Sequence, residues 1–292
     1  MKNNNIEKSL KIAIVLTFVF FVVEVIGGLS SGSLSLLGDA GHMFRDVLAL
    51  FISLSAINIA KKLPTKTKTF GYHRIEIFAA FVNGILLIGI SGWIFGEAYQ
   101  RISTPVSIES TTMFIVAMIG MLVNLYIAFK LHGSHDLNVK SAYIHVLTDT
   151  LSSVAVIFAS VWIFFTNQTV VDAIVSMGIA VFILYSAFAI IRDSIRILLE
   201  FTPKNINFDE VIKDIQAVKD VQGAHNVYLW ALCSNINVLD AHIFTTQRDM
   251  LRIEKIKKEI KKKLERYNIK HVTLEFECKE CVENDIIKKL KH

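Results

Sequence analysis

Two histidines in this chain each precede an aspartate by four residues: His42 with Asp46, and His145 with Asp149. On a helix, at ~100° per residue, positions i and i+4 lie only about 40° apart and one turn from each other. Each segment therefore aims one imidazole and one carboxylate the same way. Two such helices face to face offer two nitrogen and two oxygen ligands, a four-coordinate set that suits Zn2+. The surroundings sharpen the reading. The stretch from Leu34 to Phe51 is apolar enough for a membrane, yet it holds Asp39, His42, Arg45 and Asp46. A charge at bilayer depth costs at least ~2.5–3.5 kcal/mol, so it is kept there for a function. One His–Asp pair could be an interhelical hydrogen bond. Two of them, on separate apolar runs and with no comparable pair in any other run, point to a metal site.

The elements that must hold these residues are membrane helices. Six apolar runs, roughly 10–29, 35–60, 75–97, 112–131, 141–165 and 169–190, approach or exceed the ~20 residues a bilayer needs. The chain is 53% hydrophobic, above the ~45–50% of soluble domains. Pro64, Pro105 and Pro203 fall outside the runs, where helix breakers belong. Lys2, Lys8 and Lys11 before the first run imitate a signal peptide. That run reaches spanning length and lacks a small-x-small cleavage site, so it reads as a membrane helix. The N-terminal segment and the links 61–74 and 132–140 carry nearly all the loop lysines and arginines, while the other three links hold only Arg101. The positive-inside rule then puts both termini in the cytoplasm of a multi-pass protein of the cell membrane.

Other polar residues inside the runs need partners. Asp39 is either an extra acid one turn nearer the outside or a helix-start residue favoured by the dipole. Glu24 and Arg45 are a possible intramembrane pair, because such charges normally find one another. Gly27, Gly28, Gly84, Gly92 and Gly96 permit close helix contact, and Asp172 reads as an N-terminal helix residue. At ~1.5 Å per residue, Asp46 lies about 20 Å from the cytoplasmic end of its run and Asp149 about 24 Å from the outer end of its own. A ~30 Å core cannot hold both at one level unless the helices project, shift, tilt or kink. Projection into the cytoplasm is the expectation.

After Arg192 the composition changes. The order is a helix near 207–219, strands near 224–233 and 236–245, a helix near 249–267 and a strand near 270–277. This α-β-β-α-β order suits a small α+β sheet with helices on one face. The expected division is 1–202 for the membrane part and 203–292 for a cytoplasmic domain. Net charge is +5, and the Lys-rich stretch 255–263 alternates with apolar residues as a solvated helix face does, so no nucleic-acid surface is expected. Cys233, Cys278 and Cys281 are odd in number and argue against a disulfide framework.

The chain resembles the cation diffusion facilitator family of metal transporters, in particular its zinc-transporting branch, over almost its whole length. The resemblance rests on the stretches Gly32 to Asp46, Phe70 to Glu76, Asn138 to Asp149 and Leu198 to Pro203, in that order. It implies a homodimer, six membrane helices, a ferredoxin-like cytoplasmic domain and exchange of a divalent cation for protons. The family's membrane zinc site falls on His42, Asp46, His145 and Asp149, and the two histidines match the zinc, cadmium or cobalt type. The link that is His-rich in many zinc members holds only His132 and His135 here. His225 and His242 match histidine positions that bind metal in the family's cytoplasmic domain. Glu275 and Glu277 alternate to one face of a strand, so either could complete a site with His242.

The expected function is therefore that of a secondary transporter embedded in membrane lipid, with Zn2+ as its cargo and protons as the counter-ion. Metal and protons compete for the same lone pairs, and histidine titrates across working pH values. An intramembrane zinc hydrolase needs three ligands, a bound water and a general base. The chain has no His-Glu-x-x-His pair, and four matched ligands leave no open position, so no enzyme is expected. A metal-sensing receptor is the other alternative.

Overall fold

A computed structural model of the chain describes residues 2–60, 64–131, 137–278 and 286, and of residues 2–14, 46, 49–60, 130–131 and 137–145 it describes the backbone alone. His132, His135 and Cys281 thus lie outside the described residues. The chain forms two compact units, 1–54 with 82–191 and 55–81 with 192–292.

Six long helices run through the first 198 residues: α1 (Lys2–Ser31), α2 (Leu34–Ala60), α3 (His73–Ser103), α4 (Ser110–Leu131), α5 (Leu137–Thr166) and α6 (Val170–Leu198). Among the described residues, His73–Ser103, Ser110–Phe129, Val146–Thr166 and Val170–Leu198 are long and apolar enough to cross a bilayer, and Val15–Ser31 is a shorter apolar helix. Phe129, Phe165, Tyr185 and Phe188 stand exposed on these helices. That display is costly in water and natural against lipid. Leu36, Leu87, Ile94, Met113, Val156 and Ile183, from five different helices, meet in one core inside the first unit.

Asp172 fixes where α2 begins. The first N–H groups of a helix lack intrahelical partners. Here the fully buried Asp172 carboxylate, from the first turn of α6, accepts from the N–H groups of Leu34 (2.8 Å) and Ser35 (3.1 Å). It also accepts from the hydroxyls of Ser33 (2.8 Å) and Ser35 (2.6 Å). The turn before α2 needs a positive φ at Gly32 (+70°), and the Gly32 carbonyl accepts from the Arg101 guanidinium at 2.6 Å. The expectation that Asp172 is an N-terminal helix residue therefore covers half its work, since it caps a neighbouring helix as well. Of the glycines expected at helix contacts, Gly27, Gly28 and Gly84 fit: a Cβ there would lie 2.7 Å from Val116 Cγ2, 2.8 Å from Leu37 Cδ2 and 2.5 Å from Ile191 Cγ1 respectively. Gly92 and Gly96 face open space among the described residues, because they lie on the outward side of α3.

In the second unit the order is α7 (Phe208–Gln216), β1 (Gly223–Cys233), β2 (Ile236–Phe244), α8 (Met250–Leu264) and β3 (Ile269–Glu277). Each falls on an element expected from the pattern. Asn207 and Asp249 cap the two helices with side-chain oxygens, as their types predict. The sheet order is β1-β2-β3, antiparallel then parallel. Val211 and Ile215 of α7 and Ile256, Ile260 and Leu264 of α8 share a core with Ala224, Leu229, Leu239, Ala241 and Ile243 of the sheet. A bulge between His225 and Tyr228 interrupts the alternation of β1, with Asn226 in left-handed conformation (φ 51°). The extra residue switches the strand's parity, so Ala224 faces the core while His225 lies opposite His242 on the other face.

Candidate metal sites

In the helical unit, α2 and α5 bring His42 and Asp149 together. His42 Nε2 stands 3.2 Å from Asp149 Oδ1, and both residues are buried. Two ligand atoms held tetrahedrally at ~2.0–2.1 Å from one ion lie ~3.3 Å apart, so this separation fits a shared Zn2+. The His42 ring packs against Phe182 of α6, with centroids 5.3 Å apart. A cavity of about 310 Å3 opens on His42, lined also by Asp39, Thr148, Ser152 and apolar residues of α5 and α6. The backbone is helical through Asp46 and His145, one turn from His42 and Asp149 respectively. The side chains of Asp46 and His145 lie outside the described residues.

Asp39 lies in the second turn of α2, past the helix start that Asp172 caps. It is buried, lines the cavity with His42, and accepts from the Ser152 hydroxyl of α5 at 2.6 Å. It is therefore an extra acid beside the His42–Asp149 pair. Ser152 is a residue that sequence reasoning passed over, because a serine in an apolar helix gives no signal of its own. The expected pairing of Glu24 with Arg45 is not made: Glu24 lies against Asp39. Asp39 and Arg45 are six residues apart, about 120° from each other round α2, so the face that meets Glu24 cannot present both.

In the sheet unit, three strands converge on a second group. His225, His242 and Glu277 place one ligand atom each within 4.8 Å of one another. His225 Nε2 is 3.1 Å from Glu277 Oε2, and His242 Nδ1 donates to Glu277 Oε1 at 2.8 Å. The Nε2 of His225 is buried and makes no hydrogen bond among the described residues despite that close carboxylate. Such an orphaned atom at ligand distance from a carboxylate suits a metal ion. Asn226, at the bulge, donates from Nδ2 to His242 Nε2 at 3.0 Å. Glu275 lies 3.4 Å from His242 Nε2, but its side chain is two-thirds exposed, so it sits at the margin. Among the described residues no cysteine joins the group: Cys233 is buried elsewhere and Cys278 is exposed.

Residues 10–199 match the cation efflux transmembrane domain, and residues 203–278 match the domain described as "Cation efflux protein, cytoplasmic domain", labelled ZT_dimer. The chain is 40% identical over 282 residues to the metal cation efflux system protein CzcD of Cupriavidus metallidurans, covering 96% of this chain and 89% of that protein. It is 36% identical over 286 residues to a cadmium, cobalt and zinc/H(+)-K(+) antiporter of Bacillus subtilis, covering 95% and 92%. It is 39% identical over 280 residues to the zinc transporter ZitB of Pectobacterium atrosepticum, covering 94% and 86%.

Proposed function

The chain belongs to the cation efflux family, and on that premise we propose that it exports Zn2+ from the cytoplasm, with Cd2+ or Co2+ as further cargo, in exchange for protons. The observation that carries this is the buried His42–Asp149 pair, 3.2 Å apart, whose His42 lines a cavity between long apolar helices. His42, Asp46, His145 and Asp149 form the transport site. Cargo and counter-ion compete there, because zinc needs a neutral imidazole and an ionised carboxylate while acid supplies protons to both. A proton gradient can thereby drive metal release on the far side.

In this reading all six long helices cross the inner membrane, both termini are cytoplasmic, and the chain divides at 202/203 into a transport domain and a ferredoxin-like domain. Two copies pair as a homodimer, in keeping with the dimer label of the matched cytoplasmic domain. His225, His242 and Glu277, with Glu275 at the rim, bind zinc and regulate transport rather than carry ions. Zinc in that cluster biases the transport equilibrium only insofar as it binds one state better. The test is flux. Proteoliposomes holding the purified protein under an imposed pH gradient should accumulate Zn2+, ahead of Mn2+ in competition. No uptake above protein-free vesicles would overturn the proposal.

A further inference from the structure

A second cavity, of about 260 Å3, opens at the C-terminal end of α6. Its wall includes Arg196, Phe201, Lys204 and Asn205, and it reaches Asn235 in the turn between β1 and β2, all within the second unit. Asp193, Arg196 and Lys204 are the charged residues on that wall, which leaves one net positive charge. Lys204 is paired with Asp193, and the nearby Glu200 with Arg74. Arg196 has no acidic partner among the described residues. It is partly buried, donates from Nη2 to the Thr202 carbonyl at 3.2 Å, and lies 5.2 Å from the centre of the Phe201 ring. Asn205 and Asn235 are exposed, and their side-chain amides make no hydrogen bond among the described residues; Asn235 accepts from Asn268 through its main-chain carbonyl. Phe201 is exposed, as is Leu199 two positions earlier. The depth is set by length. The 29 residues of α6 span ~43 Å at ~1.5 Å each, the ~40–45 Å of a bilayer with its headgroups. Arg196, in the last turn, therefore stands at headgroup level.

We propose that this cavity binds the headgroup of an acidic phospholipid. The phosphodiester sits on the Arg196 guanidinium, whose fork suits phosphate oxygens. The Asn205 and Asn235 amides donate to it, and the acyl end lies along Phe201 and Leu199. One unmatched positive charge calls for one negative charge, which a phosphodiester carries. A zwitterionic headgroup would bring a further cation against Arg196 and Lys204. Free phosphate has the charge but nothing to lay against the exposed apolar side chains. The bound headgroup bridges the end of α6 and the β1–β2 turn, so it braces that joint. The inference goes beyond metal transport and does not depend on which ion is carried.

The test uses the full-length protein and two probes, phosphatidylglycerol and phosphatidylcholine. In nanodiscs of phosphatidylcholine, replacing a third of the lipid by phosphatidylglycerol should raise the melting temperature, because a ligand of the folded state stabilises it. Short-chain phosphatidylglycerol titrated into the detergent-solubilised protein should bind more tightly than short-chain phosphatidylcholine. Arg196→Gln keeps a donor but loses the charge, and should weaken that binding roughly tenfold or more. Asn235→Asp, on an exposed turn, sets a carboxylate against the phosphodiester; it should weaken binding to a similar degree and serves if Arg196→Gln does not fold. Lys262→Gln, on the exposed face of α8, should leave the affinity within about twofold, since exposed charges at a distance are screened. Equal binding of the two lipids by the wild type overturns the inference, as does unchanged affinity in both cavity variants. An equal loss in Lys262→Gln overturns it by making the preference a diffuse surface attraction. Inorganic phosphate that gives the same thermal rise in phosphatidylcholine nanodiscs overturns it by making the cavity a site for free anions. Each of these results leaves the transport reading intact.

Discussion

The two candidate sites are built by opposite geometries. The site in the helical unit draws on two helices, each carrying its residues four positions apart, and sits among apolar side chains. The site in the sheet unit draws one residue from each of three strands, 17 or more positions apart in sequence, and lies on a largely buried sheet face. In the first, His42 and Asp149 are buried, so on the proposed transport reading their charge is balanced by metal or protons. The second can stand without an ion, because His242 and Glu277 already satisfy each other. On the proposed reading, the contrast is what a carrier site and a sensing site require: occupancy by some cation in one, optional occupancy in the other.

The largest expected effect breaks the first site alone. Asp149→Ala should lower zinc flux by more than 100-fold, since changes even to the groups behind metal ligands cost roughly 10–100-fold. His242→Ala should leave flux measurable, with a changed response to cytoplasmic zinc. If the two variants behaved alike in vesicles, the division into carrier and sensor would fail. Next in size is Asp172→Ala, far from any ligand. It strips the start of α2 of a buried charge-assisted cap and should destabilise the protein by about 3 kcal/mol. Thermal melts in detergent check this, and a variant as stable as wild type would mean that other groups cap α2.

The difference in geometry also explains what could be read in advance. A spacing of four is visible in one line of sequence, so His42, Asp46, His145 and Asp149 stood out as a set. The order of helices and strands after Pro203 was legible for the same reason, since hydrophobic period and capping residues are local. The partnership of His225 with His242 was visible only through the family resemblance, not in any local pattern. It depends on an unpaired residue at Asn226 that shifts the parity of β1, and strand register is a property of two segments together. The level of the membrane site was equally hidden. His42 lies ~12 Å along α2 from Leu34, and Asp149 ~26 Å along α5 from Thr166. They meet because α5 is inclined to α2 or displaced along it, which no single-helix count reveals. Asp39 showed as an acid, but its hydrogen bond to Ser152 needed the packing of α5.

Zinc itself can weigh the second site once the first is disabled. In Asp149→Ala protein, saturating zinc should still raise stability by about 2.7 kcal/mol at a hundred times the dissociation constant. Adding His242→Ala should remove that rise. A rise that survives in the double variant would place the remaining metal outside the sheet cluster. Smaller again is a change of selectivity. His42→Asp exchanges an imidazole for a carboxylate and makes the carrier site richer in oxygen. The preference for zinc over manganese in competitive flux should shrink roughly tenfold. An unchanged preference would mean that His42 does not touch the ion.

The smallest effect tests the bulge on which the strand-built site depends. Asn226 holds φ at 51°, a conformation that glycine adopts freely and that β-branched residues resist. Asn226→Gly should therefore keep the backbone, cost no more than about 1 kcal/mol, and lose only the amide contact to His242 Nε2. Asn226→Val should cost about 1–3 kcal/mol, because strain at such a position is of that size. The strain can be relieved only by straightening β1. Straightening returns His225 to the parity of Val227 and Leu229, which face the apolar core, and takes it away from His242. Zinc stabilisation in the Asp149→Ala background should then persist in the glycine variant and collapse in the valine variant. The transport site has no counterpart to this sensitivity, since its ligand spacing is set by helix geometry within α2 and α5. Flux through wild-type ligands with valine at 226 should survive wherever the protein folds. Equal zinc stabilisation in the glycine and valine variants would show that the bulge does not set the position of His225.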